Sequence, residues 1–130
     1  MSDIDKTEVV NCKLKFIKDT YKNLEEWNKD PSNLYIGRGL RIFITENSVK
    51  RVFYINKSIW SNPFKVKEYG LEKCLKMYEE YIKVKIETDA SYDLDSLEGK
   101  KLGCWCKPCK CHGDILKKLL FEKKNKATFC

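Results

Sequence analysis

Gly99-Lys-Lys-Leu-Gly-Cys-Trp-Cys-Lys-Pro-Cys-Lys-Cys-His-Gly-Asp-Ile-Leu-Lys-Lys-Leu-Leu120 is the stretch whose reading decides the fold. Lys101 to Cys106 has the composition of a strand, and Lys107 to Gly113, with Pro108, reads as a tight turn. A helix is predicted from about Asp114 through Phe121, with Ile115, Leu116, Leu119 and Leu120 facing inward. Asp114 is a natural N-cap, and the lysines after it favour the helix C-terminus. A strand passing through a turn into a helix places this segment in an α/β domain. Four of the seven cysteines and the only histidine lie between Cys104 and His112, where the two elements meet.

Working outward, residues 87–99 form an acidic connection with one helical turn near Leu94 and Leu97. Leu71, Cys74, Leu75, Tyr78, Ile82 and Ile86 recur at helical spacing, which predicts a helix over 71–86 with Cys74 as a small core residue. Trp60-Ser61-Asn62-Pro63-Phe64 is a structured turn, because a residue before proline is biased to an extended backbone. Its aromatics either stack on a ligand ring or plug the core, and the core is the commoner use. Leu40 to Thr45 and Val49 to Ile55 are two strands joined by Glu46-Asn47-Ser48. Gly37-Arg38-Gly39 reads first as a hairpin turn and second as a close backbone approach with a guanidinium beside a ligand. Leu34-Tyr35-Ile36 is a short apolar run after the Asp30–Asn33 turn. Residues 16–30 suit an amphipathic helix or a long ordered loop, and the Val9-Val10 pair marks an opening strand. The expectation is one α/β domain over residues 1–130, a short mixed sheet flanked by helices, with 1–6 and 122–130 as flexible ends.

At 130 residues with 42% hydrophobic content, one core is the simplest arrangement. No apolar run approaches the ~20 residues that span a bilayer, so no membrane association is expected. The polar, acidic start has no signal-peptide character, which points to an intracellular, cytoplasmic protein whose thiols stay reduced. A net charge of +7 permits a nucleic-acid partner. That signal is diluted because only Arg38, Arg41 and Arg51 are arginines, and arginine is the residue suited to bidentate phosphate contacts.

The cysteine cluster supports three chemistries. Trp105-Cys106-Lys107-Pro108-Cys109 matches a thioredoxin-type Trp-Cys-x-Pro-Cys sequence, but only 21 residues follow Cys109, too few for the helix and strands such a site precedes. As a zinc site, Cys104 and Cys106 would face one way along the strand, and the turn would return Cys111 and His112, with Cys109 as a substitute ligand. As a catalytic or anion site, Cys111, His112, Gly113 and Asp114 occupy a helix start that favours an anion or thiolate. In that reading His112 and Asp114 serve as acid and base, with Cys111 as a possible nucleophile. Against all three stands a plain junction of small buried residues.

Val9-Val10-Asn11, Tyr35 to Gly39, Trp60 to Phe64, Leu97 to Cys106 and Cys111 to Leu116, taken in order, resemble a family of phage, bacterial and large-DNA-virus proteins known as domain of unknown function 4326. The resemblance covers nearly the whole chain and carries no settled activity. That family has glycine where Ser61 stands and no cysteine at the position of Cys109. The resemblance therefore favours Cys104, Cys106, Cys111 and His112 as the site and implies that the 40–55 hairpin is an insertion. It also groups Gly37-Arg38, Asn62-Pro63-Phe64 and the Cys-His-Gly-Asp run at strand ends, the usual place for a ligand crevice.

These readings converge on a binding module for a nucleotide-like or other phosphate-bearing small molecule. Tyr35, Gly37, Arg38, Trp60, Asn62, Phe64 and Gly113 would contact the ligand, and zinc would be held by Cys104, Cys106, Cys111 and His112. The rival is a hydrolase- or glycosidase-type enzyme acting on a nucleotide or nucleoside through His112, Asp114 and Cys111, and a thiol redox protein is third.

Overall fold

The computed structural model describes residues 7–105 and 110–129, with side chains through Lys123. Cys106 and Cys109, and with them the thioredoxin-like pair and half of the turn, lie outside the described residues, as do Met1 to Lys6 and Cys130.

The opening valines form β1 (Glu8–Asn11), whose neighbour in space comes from the far end of the chain, β5 (Lys101–Cys104). On the other side of β5 lies β2 (Asn33–Tyr35), and all three strands run parallel in the order β1-β5-β2. Parallel strands need a crossover, and the chain from β1 to β2 makes it with α1 (Leu14–Ile17) and α2 (Leu24–Lys29). The expected helix or loop over 16–30 is thus divided between short helices. Asn23 restarts the helix by accepting the Glu26 N–H at 2.9 Å, a side-chain N-cap.

Side chains alternate along a strand, so the central β5 feeds two layers. Leu102 and Cys104 enter a core built with Tyr78 and Ile82 of α4 (Leu71–Thr88) and Leu116 and Leu120 of α5 (His112–Phe129). Gly103 faces the opposite layer, where a Cβ would run into the Trp27 ring, so the absence of a side chain is what admits the indole. Trp27, Leu24, Tyr35, Cys12 and Ile55 form that second core. The architecture is α/β, with helices on both faces of a parallel sheet and an antiparallel pair beside it.

That pair is the hairpin β3 (Leu40–Glu46) and β4 (Val49–Ile55), a separate two-stranded sheet. Asn47 and Ser48 both take positive φ, 51° and 65°, as a two-residue hairpin turn of the right twist requires. Gly37-Arg38-Gly39 is not a hairpin turn. β2 pairs with β5 and β3 with β4, so this segment carries the chain from one sheet to the other. Leu34-Tyr35-Ile36 has apolar side chains for both layers, which suits a parallel strand covered on both faces rather than a ribbon edge.

Beyond the hairpin, α3 (Val66–Tyr69) leads through Gly70, at φ 81°, into α4, and a 3-10 turn spans Leu94–Leu97. β5 ends at Cys104 rather than continuing to Cys106, and α5 starts at His112, two residues before the expected Asp114, and continues to Phe129, beyond the expected Phe121. The early start follows from the capping described below. Among the described residues, no helix is long and apolar enough to cross a membrane.

Candidate functional site

Gly37 and Arg38 follow β2 after Ile36, and Trp105 follows directly on β5. These carboxyl ends of parallel strands open into a pocket of about 410 Å³. Arg38, Lys65 and Lys67 supply its charge, Phe64 and Trp105 its rings, and Asn62, Cys104 and His112 its polar floor; among the described residues no carboxylate lines it. A second depression of about 520 Å³ shares Arg38, Asn62 and Lys65 and adds Lys57, so Arg38 stands on the ridge between the two. Four expected ligand residues (Gly37, Arg38, Asn62 and Phe64) are thereby brought together with Cys104 and His112, candidates on other grounds.

The 62–64 turn is locked by its own side chains. Asn62 Oδ1 accepts the Phe64 N–H at 2.9 Å, and Asn62 Nδ2 donates to Cys74 Sγ at 3.4 Å. The Cys74 thiol donates to the Phe64 carbonyl at 3.3 Å, and Arg38 Nη2 donates to that same carbonyl at 2.9 Å. One N–H of the exposed guanidinium is thus spent on positioning, and the rest of the fork faces solvent at the pocket rim. Tyr35, expected as a ligand contact, is instead a strut beneath this rim. Its hydroxyl donates to the Arg38 carbonyl at 2.6 Å and accepts the Trp105 indole N–H at 2.7 Å. Gly37 lies over the Tyr35 ring so closely that a Cβ would come 2.5 Å from the hydroxyl oxygen. Burial, before any other influence, pushes the Tyr35 hydroxyl up to about 12, so it stays protonated and able to donate.

Trp60 is part of the core, 3% exposed, with its carbonyl accepting the Tyr78 hydroxyl at 2.8 Å. It is too far inside to contact a ligand.

The start of α5 has a cap that the sequence does not advertise. Cys111, not Asp114, is the N-cap: its Sγ accepts the Gly113 N–H at 3.5 Å, and its carbonyl accepts the Asp114 N–H at 3.0 Å. Asp114 reaches back, its Oδ2 accepting the Cys111 N–H at 3.1 Å. This is a variant of the capping box, with a thiol in place of a hydroxyl and the second helical amide, Gly113, in place of the third as its donor. The amides of Cys111, Gly113 and Asp114 are therefore committed to the chain, and a carboxylate occupies the place where an anion would sit. Gly113 itself packs against the sheet, where a Cβ would lie 2.8 Å from both Ile36 Cδ1 and Val9 Cγ1. The expected phosphate cradle at 112–114 is a packing and capping device.

His112 is buried, with its Nε2 2.7 Å from the Ile36 carbonyl, an edge contact to Tyr78 at 5.1 Å, and its Nδ1 3.6 Å from Cys111 Sγ. A carbonyl only accepts, so Nε2 carries the proton and the Nδ1 lone pair is turned towards the thiol. Burial lowers the imidazole below its ordinary 6.5. The Ile36 carbonyl, Cys104 and Asp114 pull the other way, and Arg38 adds to the lowering. His112 is thus a neutral ring at the edge of a basic pocket. Cys104 is buried in the same core. Among the described residues no three of His, Cys, Asp and Glu converge as ligands for a metal ion; Cys106 and Cys109 are not among them.

Lys65, Lys67 and Trp105 are pocket residues that the sequence reading passed over. Lys65-Val66-Lys67 directly after the Asn-Pro-Phe turn was the available signal for the first two.

Comparison with known proteins gives a consistent placement. The chain is 37% identical over 76 residues to an uncharacterized protein of Acanthamoeba polyphaga mimivirus; the match takes in 51% of this chain and 57% of that protein. No solved structure matches. Residues 20–122 match the family described as Domain of unknown function (DUF4326), and the chain belongs to that family.

Proposed function

We propose that the chain is a binding module for a phosphate-bearing ligand with a ring, of the nucleotide type, held in the pocket between Arg38, Phe64 and Trp105. The observation that carries this reading is the lining itself. Beside the carboxyl ends of β2 and β5, Arg38, Lys65 and Lys67 line the same pocket as two aromatic side chains, and among the described residues no carboxylate lines it. A volume of about 410 Å³ is within the usual range for small-molecule sites. The ring would lie against Phe64 and Trp105, and the phosphate would take the open side of the Arg38 fork. Titration calorimetry with a panel of mononucleotides tests this: binding is expected, and Arg38→Ala is expected to weaken it by tenfold or more. A panel that gives no heat with the folded parent protein would end the proposal. Conversion of a nucleotide during the titration, lost in His112→Ala, would replace it with the hydrolase- or glycosidase-type enzyme.

A zinc-type ion at Cys111 and His112 is favoured by a separate observation. Ligand lengths of about 2.3 Å for sulfur and about 2.0 Å for nitrogen at a tetrahedral angle place the two atoms about 3.5 Å apart, against the observed 3.6 Å. The bond from Nε2 to a backbone carbonyl is also the usual support of a metal-bound imidazole. Cys104, Cys106 and Cys109 are the candidates to complete the set. Elemental analysis of untagged protein tests this reading: near-stoichiometric zinc that is lost in Cys111→Ser supports it, and metal-free folded protein refutes it.

A further inference from the structure

We propose that the outward face of the β3–β4 ribbon is a second site, a stacking platform for single-stranded nucleic acid. Pairing fixes which residues share this face: Arg41 opposes Tyr54, Phe43 opposes Val52, and Thr45 opposes Lys50. The other face of the same ribbon turns Ile44 and Ile55 into the molecule. Outward, Phe43 is 60% exposed and Tyr54 65% exposed, whereas Phe53, on the inner side of the same ribbon, is partly buried against the core. Phe43 and Tyr54 are diagonal neighbours across the strands, ~7–8 Å apart by ribbon geometry, which two successive unstacked bases can span.

The charges decide what covers these rings. The face carries Arg41 and Lys50 and no carboxylate. Among the described residues neither is in an ion pair, whereas Arg51, on the inner side, is held by Glu25 at 2.6 Å and Glu46 at 3.1 Å. Lys50 Nζ stands 4.8 Å from the centre of the Phe43 ring, so a cation is already beside the stacking surface. Exposed aromatics interleaved with unpaired cations match the two demands of a single strand, π faces for the bases and positive charge for the backbone. The same pattern opposes a second copy of the chain, because two like-charged faces would meet. Asn47 and Ser48, both in the left-handed region, hold the two strands in the register that keeps the four residues on one face.

Fluorescence anisotropy with a labelled oligothymidylate and its RNA counterpart tests the platform. Phe43→Thr and Tyr54→Thr keep strand preference and charge while removing the rings. Each is expected to weaken binding by about tenfold with an unchanged salt slope. Arg41→Gln with Lys50→Gln is expected to flatten the slope of log affinity against log salt by about 1.4, the value for two phosphate contacts on a single strand. If the two threonine variants, with parental melting temperatures, bind the oligonucleotide as the parent does, the binding is general attraction to a +7 chain and the proposal fails. It fails equally if the parent does not bind, or if sedimentation shows a dimer that the threonine variants dissociate, since the face would then join two copies.

Discussion

Replacing Gly113 by alanine separates a packing role from a ligand role at the start of α5. The added Cβ would meet Ile36 Cδ1 and Val9 Cγ1, each at 2.8 Å, and Val9 Cγ2 at 3.1 Å. Two of these contacts are closer than carbon atoms tolerate, so α5 must lift from the sheet or two side chains must leave their rotamers. Overpacking of this kind costs about 1–3 kcal/mol, and the better helix preference of alanine returns up to ~1 kcal/mol. The net expectation is a loss of about 1–2 kcal/mol, or roughly 4–8 °C in Tm for a chain of this size. Val9→Ala removes both valine methyls, and with them one of the two closest contacts, while Ile36 Cδ1 stays; alone it should cost ~1 kcal/mol. If the clash is the cause, the double variant should be about 1 kcal/mol more stable than the sum of the singles predicts. Urea unfolding of the four proteins measures this coupling, and nucleotide affinity measured on the folded fraction should not move. Additive losses would refute the packing account. An unchanged stability with lost affinity would return Gly113 to the ligand contacts.

Three further outcomes follow from the same geometry. Gly103→Ala places a methyl against Trp27 on the central strand and should cost about 3 kcal/mol or more, read as loss of soluble folded protein, with partial recovery on adding Trp27→Leu. Tyr35→Phe removes the acceptor of the Trp105 indole and the donor to the Arg38 carbonyl, so stability should fall by about 1–3 kcal/mol. Because burial holds His112 below 6.5, the unfolded chain takes up this proton first as pH falls. The stabilisation from a neutral His112 is therefore complete above pH 6.5 and is lost progressively below it. Asp30, held down to about 2 chiefly by its Ser32 and Tyr21 hydrogen bonds, gives a stabilisation that is complete above its ordinary 3.8 and is lost only below it, so the two effects do not overlap. Urea midpoints should decline from neutral pH to about pH 5 in the parent and stay flatter in His112→Gln.

The elements were legible where periodicity was strong: the Leu71–Ile86 stripe and the 40–55 hairpin stand where the residues place them, and the strand expected over 101–106 is found over 101–104. The partnership of β1 with β5 was not legible, because nothing local to Val9-Val10 names a strand more than ninety residues later as its neighbour. Gly37-Arg38-Gly39 misled for a related reason. Two glycines beside an arginine suit a hairpin turn and a crossing between sheets equally, and only long-range pairing separates them. Gly103 and Gly113 carried no sequence signal of their role, since a missing Cβ becomes meaningful only once Trp27 or Ile36 is known to press there. The gathering of Arg38, Asn62 and Phe64 was recoverable because each lies at the end of a predicted strand or turn. Trp60, in the same turn, went to the core, where its ring meets Tyr92 edge-on at 5.7 Å and its carbonyl accepts the Tyr78 hydroxyl.

Cys111 and His112 show how neighbours in sequence can act on one atom. On a strand adjacent side chains point apart, and inside a helix they diverge by roughly 100°. At a helix start neither rule applies, because the N-cap residue leaves an extended backbone while the next residue is already helical. The Cys111 thiol is therefore folded back over the first turn to receive the Gly113 amide. The same fold-back brings it to 3.6 Å from the imidazole nitrogen that the Ile36 carbonyl leaves unprotonated. Changing the carbonyl partner cannot be done by mutation, but changing the cap can. Cys111→Ser keeps an N-cap that is at least as good as the thiol and removes the soft ligand. Retained stability in Cys111→Ser would make the cysteine a cap alone. A loss of several kcal/mol that chelation of the parent reproduces would make the pair a metal site, because only a bound ion links those two perturbations.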